Sequence, residues 1–278
     1  MIAYKRHDLL VSVLTNLAAQ TQLPVTVLVV DNGGTLREQD LLEMPLSDRT
    51  ELVSRADNPG YAAAVNLASS RLGVRTSALL VLTHDSDFDE HLAAGLLRAL
   101  DAEPRAGAAA PILRWSSRPE RVFSAGGVLH RGGRASHLTS PRQGSPYEVD
   151  WVDGAVVMYR KRSLDAIGWL DERYFLYFED VDTAWAMRQC GHRTLIAPEV
   201  VARQEPGAHP LYLGSRNMIL FARKTTEAPV LQAIAVARRA IEDSLSRIMH
   251  GRAPRINEAW RGWRDGRNGI SGKPPEAQ

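Results

Sequence analysis

The stretch YFLYFEDVDTAW, residues 174–185, places three carboxylates, Glu179, Asp180 and Asp182, directly after a run of bulky apolar residues that should be buried. A helix is predicted over VDTAWAMRQC, because its apolar residues share one face and Gly191 follows as a natural terminator. Capping this helix needs one carboxylate, so at least two remain without a structural task. A carboxylate packed against aromatic rings has its pKa raised by desolvation, as a general base requires. The stretch therefore predicts either a catalytic base or a buried capping cluster.

Upstream of this stretch, helical and strand patterns alternate. Residues 8–20 and 58–72 repeat apolar side chains at helical spacing, whereas 25–34 and 78–88 contain apolar runs that end in polar groups. Apolar strands separated by helices predict an α/β fold with a mostly parallel sheet covered on both faces.

The ends of the predicted strands carry polar residues. Ligands of such sheets bind outside the carboxyl ends of the strands, so we expect Asp31 and the 85–87 cluster to face one crevice. The opening residues MIAY are too short for a full central strand. Either the first strand is two or three residues long, or the chain as given lacks residues at its start.

Composition limits the class of protein. A chain of 278 residues with 44% hydrophobic content and a net charge of +2 can form one large α/β domain with a tail, or two small domains. This near-neutral charge leads us to expect no nucleic-acid partner. The single cysteine, Cys190, excludes a disulfide framework and fits a reducing compartment, so we expect a cytoplasmic protein. No apolar run approaches the ~20 residues that span a bilayer, and MIAYKRHDLL does not resemble a signal peptide.

The segment THDSDF, residues 83–88, brings a second group of carboxylates. Asp85 and Asp87 can present hard oxygen ligands to Mg²⁺ or Mn²⁺. The alternative is that Asp87 and Asp89 cap the helix predicted over DEHLAAGLLRAL. We expect His84 to be packed or hydrogen-bonded rather than a ligand.

The order of these segments resembles the family 2 glycosyltransferases of the A-type, Rossmann-like fold, and in particular their rhamnosyltransferases. The resemblance covers residues 2–224, and its most specific part is 153–206, with a strand of small residues, the GWLDE turn, the aromatic run and the Glu-Asp pair. It implies a nucleotide-sugar-binding catalytic domain over 1–224 and a helical C-terminal extension over 225–278. It also implies transfer of a sugar from a nucleoside diphosphate donor to an acceptor hydroxyl, with inversion.

The resemblance assigns the chemistry to particular residues. The Glu-Asp pair matches Glu179 and Asp180, with Asp180 as the base that takes the acceptor proton. The Asp-x-Asp region matches THDSD, so the metal, Mg²⁺ or Mn²⁺, is held by Asp85 alone or by Asp85 and Asp87. The family's metal-binding His is replaced by Gln204, which leaves the metal to Asp85 and phosphate, to Glu205 or His209, or to weaker binding.

The resemblance also implies a nucleotide site. Asp31 matches the Asp that accepts from N3–H of uracil or thymine, and the basic Arg216 in YLGSRN could contact the diphosphate. For residues 58–66 the alternative is a turn and the start of a packed helix. The expected nucleotide-sugar-binding residues are Ala3, Tyr4, Asp31, Asn58, Gly60, Asn66, Asp85 and Arg216.

Acceptor recognition is implied for Trp151, Asp153 and Gly154, because Trp stacks well on a sugar face. The acceptor could be a saccharide, a lipid-linked sugar or a small natural product. The Gly- and Ser-rich segment 131–146 is predicted to be a flexible loop that either closes over the site or stays solvated.

The tail from Thr225 predicts an amphipathic helix over 229–252, followed by a segment rich in Trp and Arg. It either contacts a membrane surface or packs on the sheet or on a second subunit of a homodimer, and we favour packing. SGKPPEAQ, 271–278, is expected to be disordered. Two other functions are considered. A sugar nucleotidyltransferase should show a Gly-rich loop after the first strand, which AYKRHD lacks. A non-catalytic nucleotide-sugar sensor is supported only by Gln204 in place of the metal-binding His.

Overall fold

The structure, a computed structural model, describes residues 1–73, 76–207 and 210–274. The strands are β1 (Ile2–Ala3), β2 (Val27–Asp31), β3 (Thr50–Ser54), β4 (Ala78–Leu82), β5 (Asp87–Phe88), β6 (Ala106–Trp115), β7 (Val122–Ser124), β8 (Gly127–Leu129), β9 (Ala135–His137), β10 (Tyr147–Val149), β11 (Val156–Arg160) and β12 (Arg193–Gln204). The helices are α1 (His7–Ala18), α2 (Glu38–Leu41), α3 (Tyr61–Asn66), α4 (Leu92–Ala102), α5 (Lys161–Ile167), α6 (Glu179–Gln189), α7 (Leu211–Lys224), α8 (Pro229–Met249) and α9 (Ile256–Arg267). Short 3₁₀ turns occur at Ser47–Arg49, Leu67–Ser70, Arg131–Gly133 and Glu172–Tyr174.

The strands form a mixed sheet. β3, β2 and β1 pair in parallel, and a parallel bridge from Ile2 to Thr83 joins β1 to the larger sheet ordered β4, β11, β6, β12, β10. The prediction of an α/β sheet is confirmed, and its parallel part is interrupted because β11 runs antiparallel to both β4 and β6 and β10 runs antiparallel to β12. Between β6 and β11 the chain makes short strands instead of a helical crossover, and a parallel pair needs such a crossover.

The first strand has only two residues, as one of the two readings of MIAY predicted. Its backbone is nevertheless bonded on both sides, because the Ala3 carbonyl accepts from Asn32 N–H and the Ile2 carbonyl accepts from His84 N–H, at 2.9 and 3.0 Å. The strand can therefore be short and still central.

Helices cover both faces of the sheet, which confirms that prediction. α1 and α4 bury side chains such as Leu10 and Leu96 on one face, and α3, α5 and α6 bury side chains such as Val65 and Met187 on the other. A third cluster, which includes Phe221, joins α6, α7 and α8.

The C-terminal helices pack on α7. A Cβ at Gly262 would lie 2.5 Å from the Tyr212 carbonyl oxygen, and one at Gly266 would lie 2.6 Å from that of Arg216, so α9 and α7 touch backbone to backbone. The amphipathic-helix prediction is confirmed by α8, although much of that helix's apolar face remains exposed. No helix within 1–73, 76–207 and 210–274 is long and apolar enough to cross a membrane.

Two segments predicted to be disordered or flexible contain residues with defined contacts. Gly272 N–H donates to the Arg173 carbonyl at 2.6 Å, and Lys273 Nζ donates to the Asp57 carbonyl at 2.9 Å, so the first part of the tail end is held. Residues 275–278 lie outside the described residues. In the predicted loop 131–146, the first seven residues form a 3₁₀ turn and β9, and only 139–146 form a continuously exposed run.

Candidate active site

A cavity of about 690 Å³ opens where β4 ends and α6 begins. Its size suits a small-molecule site. The structure brings into its wall most of the residues predicted for a site, namely Tyr4, Asn58, Gly60, Asp85, Trp151, Asp153, Gly154, Glu179 and Asp180.

The aromatic loop before α6 has an unusual backbone. Phe175, Tyr177 and Phe178 have positive φ values of 65°, 69° and 76°, which cost on the order of 1–3 kcal/mol each in bulky residues. The loop is held from α7, because Asn217 Nδ2 lies 2.7–3.0 Å from the carbonyl oxygens of Tyr174, Leu176 and Tyr177. This conformation aims the start of α6 into the cavity.

Glu179 and Asp180 begin α6 at the cavity wall. Burial, together with the nearby charge of Asp153, raises the pKa of Asp180 to about 7. Burial and the charge of Asp180 raise the pKa of Glu179 well above its ordinary value. At neutral pH, Asp180 can therefore both take up and release a proton.

Asp182 does not cap the helix, the role that the alternative of a buried capping cluster would give to one of the three carboxylates. The helix already begins at Glu179, so Asp182 lies inside its first turn and points into the protein. Its carboxylate accepts from Lys224 Nζ at 2.7 Å and from the Tyr174 hydroxyl at 3.1 Å. Burial raises the pKa of Asp182, and Lys224 opposes that rise.

The turn after β4 separates its two carboxylates. Ser86 N–H donates to the Thr83 carbonyl at 3.2 Å, which closes the turn and leaves Asp85 on the cavity wall. Asp87, in β5, pairs with Arg203 at 3.2 Å and accepts from Asn16 at 3.1 Å, outside the cavity wall. The structure therefore does not bring the two members of the literal Asp-x-Asp metal pair together on the cavity wall, because the chain turns between them. His84, expected to be packed, lines the cavity.

Sequence reasoning missed His137, which β9 brings to the cavity opposite Asp153. Its Nε2 lies 4.0 Å from Asp153 Oδ2, its Nδ1 lies 3.0 Å from Ser124 Oγ, and its ring stands between those of Phe123 and Trp151, with centroids 4.7 Å away on each side. Burial lowers the pKa of His137 and raises that of Asp153, and each opposes the shift of the other. No local pattern in the segment signalled this residue.

Asp31 does not reach the cavity wall, contrary to expectation. Its carboxylate accepts from the backbone N–H groups of Gly33, Thr35 and Leu36 at 2.6–2.8 Å, because the chain turns tightly after β2. The next residue, Asn32, lines the cavity instead.

Three more residues predicted for the nucleotide site do not line the cavity. Ala3 is buried within β1. Asn66 bonds both the N–H and the carbonyl of Leu170, so it fastens a loop. Arg216 is fully buried, and its guanidinium donates to the carbonyl oxygens of Tyr174 and Gly272 at 3.0 and 2.8 Å.

The other residues considered as metal ligands differ in whether they line the cavity. Glu205 accepts from the N–H and hydroxyl of Ser117 at 2.9 and 3.1 Å, so its carboxylate is already bonded, and His209 lies outside the described residues. Gln204 lines the cavity. In the described part of the chain, no group of three or more His, Cys, Asp or Glu side chains could hold a metal ion.

Buried polar atoms without partners collect at this cavity. Buried polar groups normally find a hydrogen-bond partner, so each exception needs an explanation. Within 1–73, 76–207 and 210–274, five cavity-lining residues carry such an atom: Asn32 Oδ1, Trp151 Nε1, Glu179 Oε2, Gln204 Oε1 and Arg239 Nε. Their convergence indicates a site built for a polar ligand.

Comparison with known sequences places this geometry in a family. Residues 1–219 match the family described as "Glycosyltransferase like family 2". The N-acetylglucosaminyl-diphospho-decaprenol L-rhamnosyltransferase of Mycobacterium tuberculosis is 28% identical over 211 residues, which cover 66% of this chain and 68% of that protein.

Solved structures share the fold. GalNAc-T7 with UDP, GalNAc and Mn²⁺ aligns with a TM-score of 0.63 at 12% identity, over 80% of this chain and 47% of that one. The mannosyltransferase PcManGT from Pyrobaculum calidifontis with GDP-Man and Mn²⁺ gives 0.57 at 16% identity, over 86% and 68%. S. aureus TarS with UDP-GlcNAc gives 0.57 at 15% identity, over 86% and 69%. This chain thus spans about half of the first structure, and the likeness shows the glycosyltransferase A-type fold.

Proposed function

The chain belongs to the glycosyltransferase-like family 2 and is a glycosyltransferase, and from this premise we propose that it moves a sugar from a UDP- or dTDP-sugar to an acceptor hydroxyl by an inverting single displacement. The observation that carries the proposal is the half-buried Asp180 carboxyl group with its raised pKa, which lines one cavity together with Asp85. A single displacement needs one base on the acceptor side and one stabilised leaving group on the donor side.

Asp180 is the proposed base. Its pKa of about 7 lies near the working pH, where a base both exists in its ionised form and holds a proton well. The N-terminus of α6 stabilises the carboxylate. Burial raises the pKa of Glu179, and its buried Oε2, which has no partner among the described residues, can form a hydrogen bond with a substrate.

A divalent cation, Mg²⁺ or Mn²⁺, fits the donor side. Asp85 and the unpartnered Oε1 of Gln204 are oxygen donors on the same cavity wall, which these cations prefer, and phosphate oxygens would complete the shell. When bound, such a cation acts as a Lewis acid on the diphosphate. Mn²⁺ in the structures of GalNAc-T7 and PcManGT supports this assignment.

The proposed nucleoside pocket uses Asn32 in place of Asp31. Asn32 Nδ2 donates to the Gly60 carbonyl at 3.1 Å, which fixes the amide and leaves Oδ1 as a buried free acceptor for a pyrimidine N3–H. Tyr4, which is 43% exposed, offers a ring for the base, and Asn58 lies on the same wall.

The acceptor side is proposed around Trp151, Asp153 and Gly154. The ring of Trp151 is only 4% exposed and packs against His137, so its contribution is the Nε1–H, which has no partner among the described residues and can donate to a sugar. Because the mycobacterial relative is named for a diphospho-decaprenol sugar, we favour a lipid-linked saccharide over a small natural product.

The exposed face of α8 supports a peripheral position at the inner face of the cytoplasmic membrane. The side chains of Val230, Ile234, Ile241, Leu245 and Ile248 are 57–70% exposed and share one face. Residues 229–267 also carry eight Arg and four carboxylates, a balance that favours an anionic lipid surface over a second, equally basic copy of the chain. The wild type should sediment with anionic vesicles, and an Ile241→Asp variant should stay in the supernatant. Concentration-dependent dimers without vesicle binding would replace this proposal with a homodimer.

The catalytic proposal is tested by incubating the protein with UDP- and dTDP-sugars, Mn²⁺ and a saccharide acceptor. Release of free nucleoside diphosphate that depends on the acceptor, with an inverted anomeric centre in the product, is the expected result. Binding of nucleotide sugar without transfer to any acceptor would instead support the non-catalytic alternative.

A further inference from the structure

The cavity wall includes an arginine from the C-terminal extension. Arg239, in the middle of α8, lines the cavity and is the only Lys or Arg among its described lining residues. The same wall carries the carboxyl groups of Asp85, Asp153, Glu179 and Asp180. A diphosphate would enter this acidic surrounding at a high electrostatic cost unless a cation met it.

Among the described residues, the Arg239 guanidinium forms no hydrogen bond and no ion pair, and its Nε is buried. The acidic neighbours on α8 are already engaged, because Asp243 binds Arg255 at 2.6 Å and Glu242 binds Arg238 at 2.8 Å. Burial lowers the pKa of Arg239, and the charge of Asp243 opposes that shift.

The fold makes room for this side chain at Gly214. A Cβ at Gly214 would lie 2.3 Å from Arg239 Nη2 and 2.7 Å from its Cζ, so only glycine lets the guanidinium lie against α7. Gly214 has no positive φ, so this contact, and not the backbone conformation, explains the residue. The first turn of α7, whose N-terminus attracts anions, lies at the same place.

We propose that Arg239 forms a phosphate subsite that binds a diphosphate group of a substrate. A planar guanidinium with free donors matches two phosphate oxygens, and Arg216, which we expected in this role, has its donors engaged by backbone carbonyls. The diphosphate comes either from the donor or from a phosphate-bearing acceptor. The subsite rests on the proposed function, and it makes the C-terminal extension part of the active site.

The test compares Arg239→Gln and Arg239→Lys with the wild type by calorimetry, using UDP, uridine and inorganic pyrophosphate, the last with and without saturating UDP. If the subsite holds the donor, Arg239→Gln should weaken UDP binding about 10- to 100-fold, leave uridine binding unchanged, and be partly rescued in Arg239→Lys. If it holds an acceptor phosphate, UDP affinity should stay unchanged, and the variant should lose the pyrophosphate that binds beside UDP.

Arg238→Gln is the matched control, because its guanidinium is exposed and pairs with Glu242 on the same helix. It should bind all three ligands as the wild type does. Unchanged affinities for UDP and for pyrophosphate in both Arg239 variants would overturn the subsite while leaving the nucleotide-sugar proposal intact. A wild type that binds neither uridine nor UDP would overturn both.

Discussion

The segment after β4 and the first turn of α6 each carry two aspartates with one residue between them. In each pair, one aspartate lines the cavity and the other lies outside its wall. Asp85 and Asp180 line the cavity, whereas Asp87 and Asp182 find cationic partners elsewhere. These two aspartates differ in burial: the Asp87 side chain is 54% exposed, and that of Asp182 is 3% exposed.

This difference separates three kinds of carboxylate. An exposed ion pair is screened by water and contributes little to stability. A buried one must keep its partners, because an unpaired buried charge is costly. A half-buried carboxyl group that faces the cavity and has no ion-pair partner among the described residues, such as Asp180, is available for chemistry, at some cost to the stability of the folded state when it is ionised.

The largest effect should follow from Asp180→Asn. Removing the base should lower kcat by a factor of about 10²–10⁴, because no side chain then takes the proton from the hydroxyl of the acceptor substrate. UDP affinity should stay unchanged. Turnover and calorimetry on the same preparation measure the two quantities. Full turnover in this variant would give the role of base to Glu179.

The dependence of kcat/KM on pH should also report the ionisation of Asp180. Because the pKa of Asp180 is raised to about 7, the ionised base is lost as pH falls through 7, and kcat/KM should drop about tenfold per unit, to roughly 1% at pH 5. UDP affinity measured over the same range provides the control. A rate that stays level down to pH 5 would contradict a base with a raised pKa.

Asp85→Ala should come next in size. It should weaken UDP binding by about 10- to 100-fold with Mn²⁺ present and leave it unchanged in EDTA, because the lost oxygen acts through the cation. Calorimetry under both conditions measures the difference. Equal losses in both would mean that Asp85 does not act through a metal.

Asp182→Ala should lower the free energy of unfolding by about 1–2 kcal/mol. The Tyr174 hydroxyl loses its acceptor, and Lys224, whose side chain is 30% exposed, can regain water, which limits the loss. Urea unfolding followed by circular dichroism measures it. An unchanged midpoint would show that this buried pair adds no net stability.

Asp87→Ala is the matched change in the other region and should have the smallest effect. Because its pair with Arg203 is exposed, the free energy of unfolding should change by no more than about 0.5 kcal/mol, and UDP affinity should not change. A loss of UDP affinity that depends on Mn²⁺ would restore Asp87 as a metal ligand.

The sequence predicted the parts of the molecule that depend on neighbours along the chain. Apolar periodicity gave α1, β2 and β4, and the ends of strands gave Asp85 and the crevice. It could not give partners that are distant in the chain. Arg216 meets carbonyl groups 42 and 56 residues away, and those contacts, which no local pattern encodes, remove it from the cavity.

Contacts of α7 join the tail to the active site. Asn217 holds the strained aromatic loop, Gly214 accommodates Arg239 of α8, and α9 packs against the helix through Gly262 and Gly266. Any ligand that prefers one arrangement of these helices therefore changes the free energy of ligand binding in the cavity. By thermodynamic linkage, a ligand in the cavity changes the binding free energy of the first ligand by the same amount. Lipid binding that tightened nucleotide binding tenfold would itself be tightened tenfold by the nucleotide, so membrane attachment and donor loading would rise and fall together.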